Sequence, residues 1–398
     1  MRLLYVHERL GSLGGAEANV LITATELRAR GCIVGLAAQS GTGKNEESWG
    51  KTFSAGVFVE GTKAVLTALE KFQPDVVYIH KWEDLPTLRL LLKTGLPIVR
   101  MVHDHDTYCL RSYRYNVFTR AVCHRPATPY CIVPCLAPIK RNREGRFPLK
   151  WASYLDKLEE IRLNRQFNRH LVVTRYMRDE LLLNGFDGDR IEIFPPVPRP
   201  GRQIRSNFSK RNLILFAGQI IRGKGVDVLL HALAKVKAPF EAVIFGDGNQ
   251  RRACEKLSQK LGLSSRVHFK GFIPQEELVA YYQDTSVVVV PSVWPEPIAT
   301  IGLEVMRYAL PVVAFDAGGI GDWLHDGQNG YLVPWMDTDV FASRLDTILA
   351  DKAMARTMGE RGLEIVSREY DFENYISRLQ ELFVRVDKSK EAPAARTS

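Results

Sequence analysis

Two glutamates and one lysine in the second half of the chain have the residue types and spacing expected at a site for a phosphorylated sugar. Glu296 lies between prolines in PSVWPEP (residues 291–297), and Glu304 follows after seven intervening residues, near the start of a predicted helix. A carboxylate is a strong acceptor for hydroxyl groups because it offers two oxygens. Lys224, in GQIIRGKG (218–225), follows a predicted strand and would place its ammonium beside a diphosphate. A surface helix start and a glycine-capped basic turn remain open as alternative explanations.

A glycine pair gives the first half a similar pattern. Gly14 and Gly15, in GSLGGAE (11–17), follow the first predicted strand and open a helix. Free N–H groups and the helix dipole favour a phosphate or a developing negative charge at such a turn. The segment lacks the G-x-G-x-x-G spacing of dinucleotide sites, and a simple tight turn explains it equally well.

The elements that must position these residues alternate between short Val- and Ile-rich runs and longer stretches with helical periodicity. This alternation predicts an α/β fold with parallel sheets covered by helices. The same pattern restarts near Leu213, after a proline-rich stretch at 196–212 that predicts an interdomain linker. We therefore expect a first domain over 1–195, with an insertion near 105–150, and a second over 213–370. The run 371–387 predicts a final helix, and 388–398 a disordered tail.

Composition agrees with a globular chain of two domains. The 398 residues are 45% hydrophobic and 25% charged, and Lys plus Arg exceed Asp plus Glu by 54 − 45 = 9. No run reaches the roughly 18 apolar residues of a membrane span, and no signal-peptide pattern opens the sequence, which predicts a cytoplasmic protein. Residues 101–150 hold nine basic and three acidic side chains. Such a region suits a phosphorylated acceptor, an anionic membrane surface or nucleic acid, and a solvated face is the alternative.

Taken together, the motifs resemble glycosyltransferase family 4, whose two-domain architecture is called GT-B. The matching segments run in the family's order along nearly the whole chain apart from residues 105–150. They are GGAE at Gly14, VHD at Val102, VVTRYMRDEL at Val172, FAGQIIRGKGVDVLL at Phe216, VHFKGFIPQEEL at Val267, PSVWPEPIATIGLE at Pro291, PVVAFDAGGIGDWL at Pro311 and GQNGYLVP at Gly327. The resemblance implies two Rossmann-like domains facing across a cleft, with the final helix crossing back to the first domain.

The resemblance also implies roles for individual residues. It places His103 beside the transferred sugar, Lys224 on the donor diphosphate, Glu296 on sugar hydroxyls and Glu304 on the ribose. The remaining implied donor-binding positions are Gly14, Gly15, Gly218, Arg222, Gly271, Phe272, Ile273, Ala299, Thr300 and Ile301. Three departures from the family pattern matter. Gln219 stands where an arginine is frequent, which leaves Arg222 to supply that charge. Ala299 replaces a frequent glycine but keeps its N–H. Ala309 replaces a helix-ending glycine and would be strained if its φ is positive.

The implied activity is transfer of a sugar from a nucleotide-diphosphate sugar to a hydroxyl, with retention of configuration and no cofactor required. Polysaccharide, lipopolysaccharide or other glycoconjugate synthesis is the expected setting. Three alternatives stay open: a glycoside hydrolase using the paired carboxylates, a GT-B epimerase, and a non-catalytic nucleotide-binding protein. Recognisable nucleic-acid motifs are absent, so we expect no nucleic-acid partner.

The insertion is the part that the family motifs leave unexplained. Cys109, Cys123, Cys131 and Cys135 fall within 27 residues, which is compatible with a structural zinc site or with free thiols. Arg111, Arg114, Arg120 and Arg125, together with Asp104 beside His103, predict an acceptor-side surface. An anionic or lipid-linked saccharide is the expected acceptor, with peripheral association to an anionic membrane.

Overall fold

The computed structural model describes residues 1–11, 14–116, 118–141, 147, 149–197, 205–208 and 211–388. The strands, in chain order, are β1 Arg2–Leu10, β2 Ile33–Gly41, β3 Val57–Val59, β4 Val76–Lys81, β5 Ile98–Val102, β6 Ile139–Arg141, β7 Leu149–Trp151, β8 Arg169–Val172, β9 Ile191–Ile193, β10 Leu213–Ala217, β11 Glu241–Phe245, β12 Val267–Gly271, β13 Thr285–Val290, β14 Val312–Phe315 and β15 Gly330–Val333. The α-helices are α1 Gly15–Ala29, α2 Glu46–Thr52, α3 Ala64–Phe72, α4 Leu85–Lys93, α5 Tyr154–Asn164, α6 Arg175–Leu183, α7 Val226–Leu233, α8 Arg251–Lys260, α9 Gln275–Tyr282, α10 Thr300–Met306, α11 Thr338–Ala350, α12 Lys352–Glu369 and α13 Phe372–Lys388.

The first of two compact units comprises Met1–Ser112, His124–Pro196 and Glu373–Ser398. Its seven-stranded sheet has the order β3-β2-β1-β4-β5-β8-β9, and its strands pair in parallel. Helix α13 packs in this unit, where the Asn19 amide donates to the Tyr375 hydroxyl at 2.9 Å and Phe383 meets the Tyr78 ring edge-on at 5.0 Å. The last helix of the chain therefore completes the core of the first unit.

The second unit comprises Val197–Phe372 together with the segment Tyr113–Cys123. Its sheet is six-stranded and parallel, in the order β12-β11-β10-β13-β14-β15. All six residues of β13 are buried, as expected of a parallel strand covered by helices on both faces. The predicted α/β fold with two Rossmann-like sheets is thus confirmed.

Backbone conformation bears out one expectation in detail. Ala309 has a φ of +54°, in the left-handed region, which costs roughly 1–2 kcal/mol for a residue with a Cβ. A Cβ on Gly359 would lie 1.9 Å from the Ala309 carbonyl oxygen, which shows that helix α12 passes very close to this turn. Tight packing of the helix explains why the turn can hold a strained alanine.

The structure bears on three of the predicted boundaries in different ways. The segment Tyr113–Cys123, expected in the first domain, belongs to the second unit. Much of the 196–212 linker lies outside the described residues, but Phe208 is buried in the core of the second unit. The tail prediction falls almost wholly outside the described residues, apart from Lys388 at the end of α13. Among the helices that the structure describes, none is long and apolar enough to cross a membrane.

Candidate functional site

The sheet of the second unit has a topological switch point between β10 and β13. Chain order runs outward in opposite directions from these two neighbours, and in such sheets ligands bind beyond the carboxyl ends of the strands at the switch. Lys224 follows β10 and Glu296 follows β13. Topology therefore brings together two residues that are 72 positions apart in the sequence.

Glu296 is the centre of a compact hydrogen-bonded cluster. Its side chain is 3% exposed, and Oε1 accepts from the Lys224 ammonium at 2.7 Å and from the Trp294 indole Nε1 at 2.7 Å. The Ser292 hydroxyl donates to the same oxygen. The Lys224 ammonium also lies 5.6 Å from the centroid of the Trp294 ring. A buried carboxylate with this many donors is held in one position, with its cation partly open to solvent.

Glycines make this close approach sterically feasible. Gly225 has a φ of +67°, and a Cβ there would lie 1.9 Å from the Pro291 carbonyl oxygen. Gly318 has a φ of +69°, and a Cβ there would lie 2.5 Å from the Glu296 carbonyl oxygen. Any side chain at either position would push the loop that carries Glu296 away from the Lys224 turn.

The other predicted donor-side residues lie on the same edge of the second sheet. Gly218 directly follows β10, and a Cβ on Gly246 would lie 1.8 Å from the Gly218 carbonyl oxygen. Gly271, Phe272 and Ile273 follow β12, and Phe272 is 81% exposed. Arg222 is exposed beside Lys224.

Glu304 lies on α10, within the helix that follows the Glu296 loop. Its carboxylate accepts from the Tyr282 hydroxyl at 2.9 Å, and burial raises the pKa of Glu304. Ala299, with a φ of +56°, caps α10 ahead of Thr300 and Ile301. Gly302 in the same helix meets the Trp323 ring, where a Cβ would lie 2.0 Å from a ring carbon. The cap at Ala299 and the packing of Gly302 against Trp323 therefore both fix the start of α10.

In the first unit, three histidines collect at the carboxyl edge of the sheet. His7 lies in β1, His80 in β4 and His103 just after β5. His80 Nδ1 and His103 Nε2 are 2.8 Å apart and share a hydrogen bond, and their rings stack at 5.1 Å. Burial lowers the pKa of His103 to about 3, and burial also lowers the pKa of His7 and of His80. All three imidazoles are therefore neutral near pH 7.

A lysine and two aspartates adjoin these histidines. The Lys81 ammonium lies 3.0 Å from Asp106 Oδ2 and 3.8 Å from Asp104 Oδ2. Burial and the neighbouring Asp106 raise the pKa of Asp104 to about 8. Burial alone would raise the pKa of Asp106 too, but Lys81 and the hydrogen bond from Asp104 outweigh it and leave that pKa below its ordinary value. Burial thus favours one proton on this pair of aspartates, carried by Asp104.

The glycines and arginines predicted for the first domain have different surroundings. A Cβ on Gly15 would meet no described atom within 4 Å, so the start of α1 leaves open space beside the backbone. The Arg111 guanidinium donates to the Cys135 and Leu136 carbonyls at 2.8 Å each. Arg114 is 3% exposed and belongs to the second unit. Both arginines therefore make structural contacts, and their acceptor role stays a prediction.

The four clustered cysteines do not form the predicted zinc site. Within the part of the chain that the structure describes, no three or more His, Cys, Asp or Glu side chains are grouped so as to hold a metal ion. Cys123 belongs to the second unit, whereas Cys109, Cys131 and Cys135 belong to the first. None of these four cysteines forms a disulfide in the described structure.

Several residues of these clusters were missed by reasoning from sequence. His7 lies within β1, and His80 and Lys81 lie at the end of β4; the sequence does not show that these two strands are neighbours. Trp294 and Ser292 lie inside a motif that was recognised, but their contact with Glu296 depends on the loop conformation. Tyr282, the partner of Glu304, is 22 residues away and carried no signal.

Two family models and several curated relatives match the chain. Residues 13–197 match the family model described as Glycosyltransferase Family 4, and residues 201–364 match the model described as Glycosyl transferases group 1. The chain is 34% identical over 238 residues to a D-inositol 3-phosphate glycosyltransferase of Corynebacterium urealyticum, covering 53% of this chain and 56% of that protein. It is 30% identical over 169 residues to an alpha-D-kanosaminyltransferase of Streptomyces kanamyceticus, covering 42% and 44%. The chain thus spans about half the length of the curated relatives it matches.

Solved structures match over a greater length. HepE of Anabaena, crystallised in complex with UDP and glucose, has a TM-score of 0.73 at 18% identity and covers 97% of this chain and 100% of its own. Sucrose-phosphate synthase of Thermosynechococcus elongatus has a TM-score of 0.74 at 18% identity, covering 98% and 99%. At this identity the likeness establishes the fold. With the two family models matching consecutive parts of the sequence, the chain belongs to glycosyltransferase family 4 and has its GT-B fold.

Proposed function

We propose that this chain is a glycosyltransferase that moves a sugar from a nucleoside-diphosphate sugar to a hydroxyl acceptor with retention of configuration. The observation that carries the proposal is the Lys224–Glu296 pair at the switch point, where one cation and one hydroxyl-binding carboxylate are 2.7 Å apart. The UDP bound in HepE supports a nucleotide donor, and the family resemblance supports retention.

The proposed mechanism places positive charge where the leaving group becomes anionic. Departure of a nucleoside diphosphate leaves an oxocarbenium-like sugar, and a preorganised cation beside the phosphates stabilises that transition state. Lys224 supplies the cation, and Glu296 accepts hydrogen bonds from the sugar hydroxyls. Glu304, on the next helix, binds the ribose. The neutral imidazole of His103 binds a sugar hydroxyl without adding a charge that would oppose the oxocarbenium.

An assay with a panel of donors and acceptors tests the proposal. We expect the purified chain to transfer sugar from a UDP-, GDP- or ADP-sugar to a simple saccharide or to D-inositol 3-phosphate, and chelators to leave the rate unchanged. Proton NMR of fresh product should show the donor's anomeric configuration. Inversion would contradict retention. Sugar release from a substrate without nucleotide would indicate a hydrolase, and an altered sugar formed without acceptor an epimerase.

We also propose that the acceptor is lipid-linked and that the chain binds an anionic membrane surface. The supporting feature is the β6–β7 pair, in which Ile139 is opposite Trp151 and Leu149 lies two residues before Trp151. These three side chains share one face and are 41%, 72% and 60% exposed. Lys150 beside them is also exposed. Exposed indole and aliphatic groups next to basic ones are typical of proteins that lie in a membrane interface.

Co-flotation with lipid vesicles tests this proposal. We expect the chain to float with phosphatidylcholine vesicles that contain phosphatidylglycerol and to bind them at least about tenfold less tightly after Leu149→Ser with Trp151→Ser, because each buried apolar side chain contributes roughly 1.5–3 kcal/mol. Leu66→Ser, at another exposed leucine of the same unit, is the control and should change nothing. Equal flotation of wild type and double variant would contradict the proposed surface, and self-association lost in the double variant would assign it to a dimer.

A further inference from the structure

The described residues of the segment Tyr113–Cys123, which belongs to the second unit, form a small hairpin. Tyr115 and Val122 form an antiparallel bridge, and the Cys123 N–H donates to the Arg114 carbonyl at 2.8 Å. At the tip, the Asn116 side chain accepts from the backbone N–H groups of Phe118 and Thr119 at 2.8 and 3.1 Å. These contacts give the segment a defined shape, which we call the insertion hairpin.

Three contacts join the insertion hairpin to the residues around Lys224. The Arg120 guanidinium donates to both carboxylate oxygens of Asp227, at 2.6 and 3.4 Å. The Arg222 guanidinium donates to the Phe118 carbonyl at 3.2 Å. The Tyr113 ring lies 5.7 Å from the Trp294 ring, centroid to centroid. Asp227 is three residues after Lys224 and Arg222 is two before it, so the hairpin contacts the chain on both sides of the lysine.

The Arg120–Asp227 contact is the strongest of the three. The guanidinium addresses the carboxylate through two nitrogens, a geometry that gives more specificity than a point charge. The Arg120 side chain is 10% exposed and that of Asp227 is 36% exposed, so water screens the pair less than a pair on an open surface. Arg120 also has a φ of +63°, a costly conformation for a residue with a Cβ, which must be maintained by the surrounding contacts.

Asp227 lies in the first turn of α7, the helix that begins directly after Lys224 and Gly225. An unpaired carboxylate there would place negative charge next to the proposed diphosphate position. Arg120 neutralises that charge. Meanwhile Tyr113 packs on Trp294, the residue that donates to Glu296 and lies beneath the Lys224 ammonium.

We propose that the insertion hairpin is a positioning element of the donor site, in which Arg120 is the positioning residue. It holds the turn Arg222–Lys224 and the start of α7, and it neutralises Asp227. The assignment of this turn to a donor site rests on the proposed function. The role of the hairpin in holding the turn rests on its contacts alone.

A charge swap tests the inference with the full chain. Arg120→Asp places two carboxylates together, and aspartate tolerates the positive φ. We expect backbone amides of residues 222–229 to exchange hydrogen at least about tenfold faster and the affinity for UDP to fall about tenfold, equivalent to about 1.4 kcal/mol. Adding Asp227→Arg to Arg120→Asp should restore both values. Arg252→Asp, at an exposed arginine of α8 in the same unit, makes the same change in net charge and should alter neither.

The outcomes separate the two proposals. Unchanged amide exchange in Arg120→Asp would overturn the positioning role, whatever the UDP result. Faster exchange that the second substitution fails to restore would also overturn it, because the Asp227 contact would then not be the cause. If wild type binds no UDP while the swap still restores exchange, the proposed donor chemistry is contradicted and the structural role of the hairpin is retained.

Discussion

Replacing Lys224 by alanine will lower the rate of sugar transfer by about 10²–10³, the usual cost of removing one group that stabilises developing negative charge. The change removes the cation beside the proposed diphosphate. It also leaves the Glu296 carboxylate, which is 3% exposed, with only its Trp294 and Ser292 donors. The rate loss should appear in kcat as well as in kcat/KM, because the leaving-group charge develops only in the transition state.

A second substitution separates catalysis from stability. Losing a hydrogen bond to a charged group typically costs about 1.5–3 kcal/mol, so Lys224→Ala alone should lower the free energy of unfolding by that amount. Adding Glu296→Gln should recover much of the stability, since the buried charge is gone, without recovering the rate. Lys235→Ala, which removes an ion pair with Asp339 on the surface of the same unit, is the matched control. Near-normal turnover in Lys224→Ala would remove the site assignment.

Much of the local structure around Lys224 and Glu296 could be predicted from sequence because local patterns specify it. The strand before Gly218, the glycine turn and the helix after Glu296 each follow from residue types within one short segment. The order of the strands at the switch point could not be predicted from the sequence. This strand order places Lys224 against Glu296. The contact therefore emerges only when β10 and β13 are neighbours.

The structure of the insertion could not be predicted from local sequence patterns. Four cysteines close in sequence suggested a metal site, but Cys123 belongs to the second compact unit and the other three to the first. Arg120 was predicted on an acceptor-side surface, and its pairing with Asp227 was not predicted because the two residues are 107 positions apart. Proximity in sequence is a poor guide wherever a loop is held by a distant partner instead of by its own periodic structure.

The three histidines of the first unit could not be recognised as a cluster from the sequence. Their burial also affects the stability of the fold. His7, His80 and His103 lie in β1, in β4 and just after β5 and are each kept neutral by burial, so these three rings carry no imidazolium charge near pH 7. The proposed oxocarbenium-like centre would benefit from that neutrality. The same burial makes the fold sensitive to acid.

We expect His103→Asn to reduce the acid sensitivity of the fold. In the unfolded chain an imidazole takes up its proton near pH 6.5, whereas His103 in the folded protein does so only near pH 3. The unfolded state therefore binds more protons between these values. The stability that neutral His103 contributes is complete above pH 6.5 and is lost as the pH falls toward 3. Between pH 6.5 and 5 the loss is about 2 kcal/mol for this one residue.

Urea unfolding of wild type and variant at pH 7 and pH 5 measures the effect as a difference. Other groups also titrate: Lys81, Asp104, Asp106 and His7 lie near His103, and Asp104, whose pKa is raised to about 8, favours the folded state at low pH. Subtracting the two proteins isolates His103, and wild type should lose about 2 kcal/mol more than His103→Asn on going to pH 5. His231→Asn, at an exposed position of the second unit, controls for the loss of one imidazole. Equal losses in wild type and His103→Asn would show that the pKa of His103 in the folded protein is close to its value in the unfolded chain, which would contradict the lowered pKa.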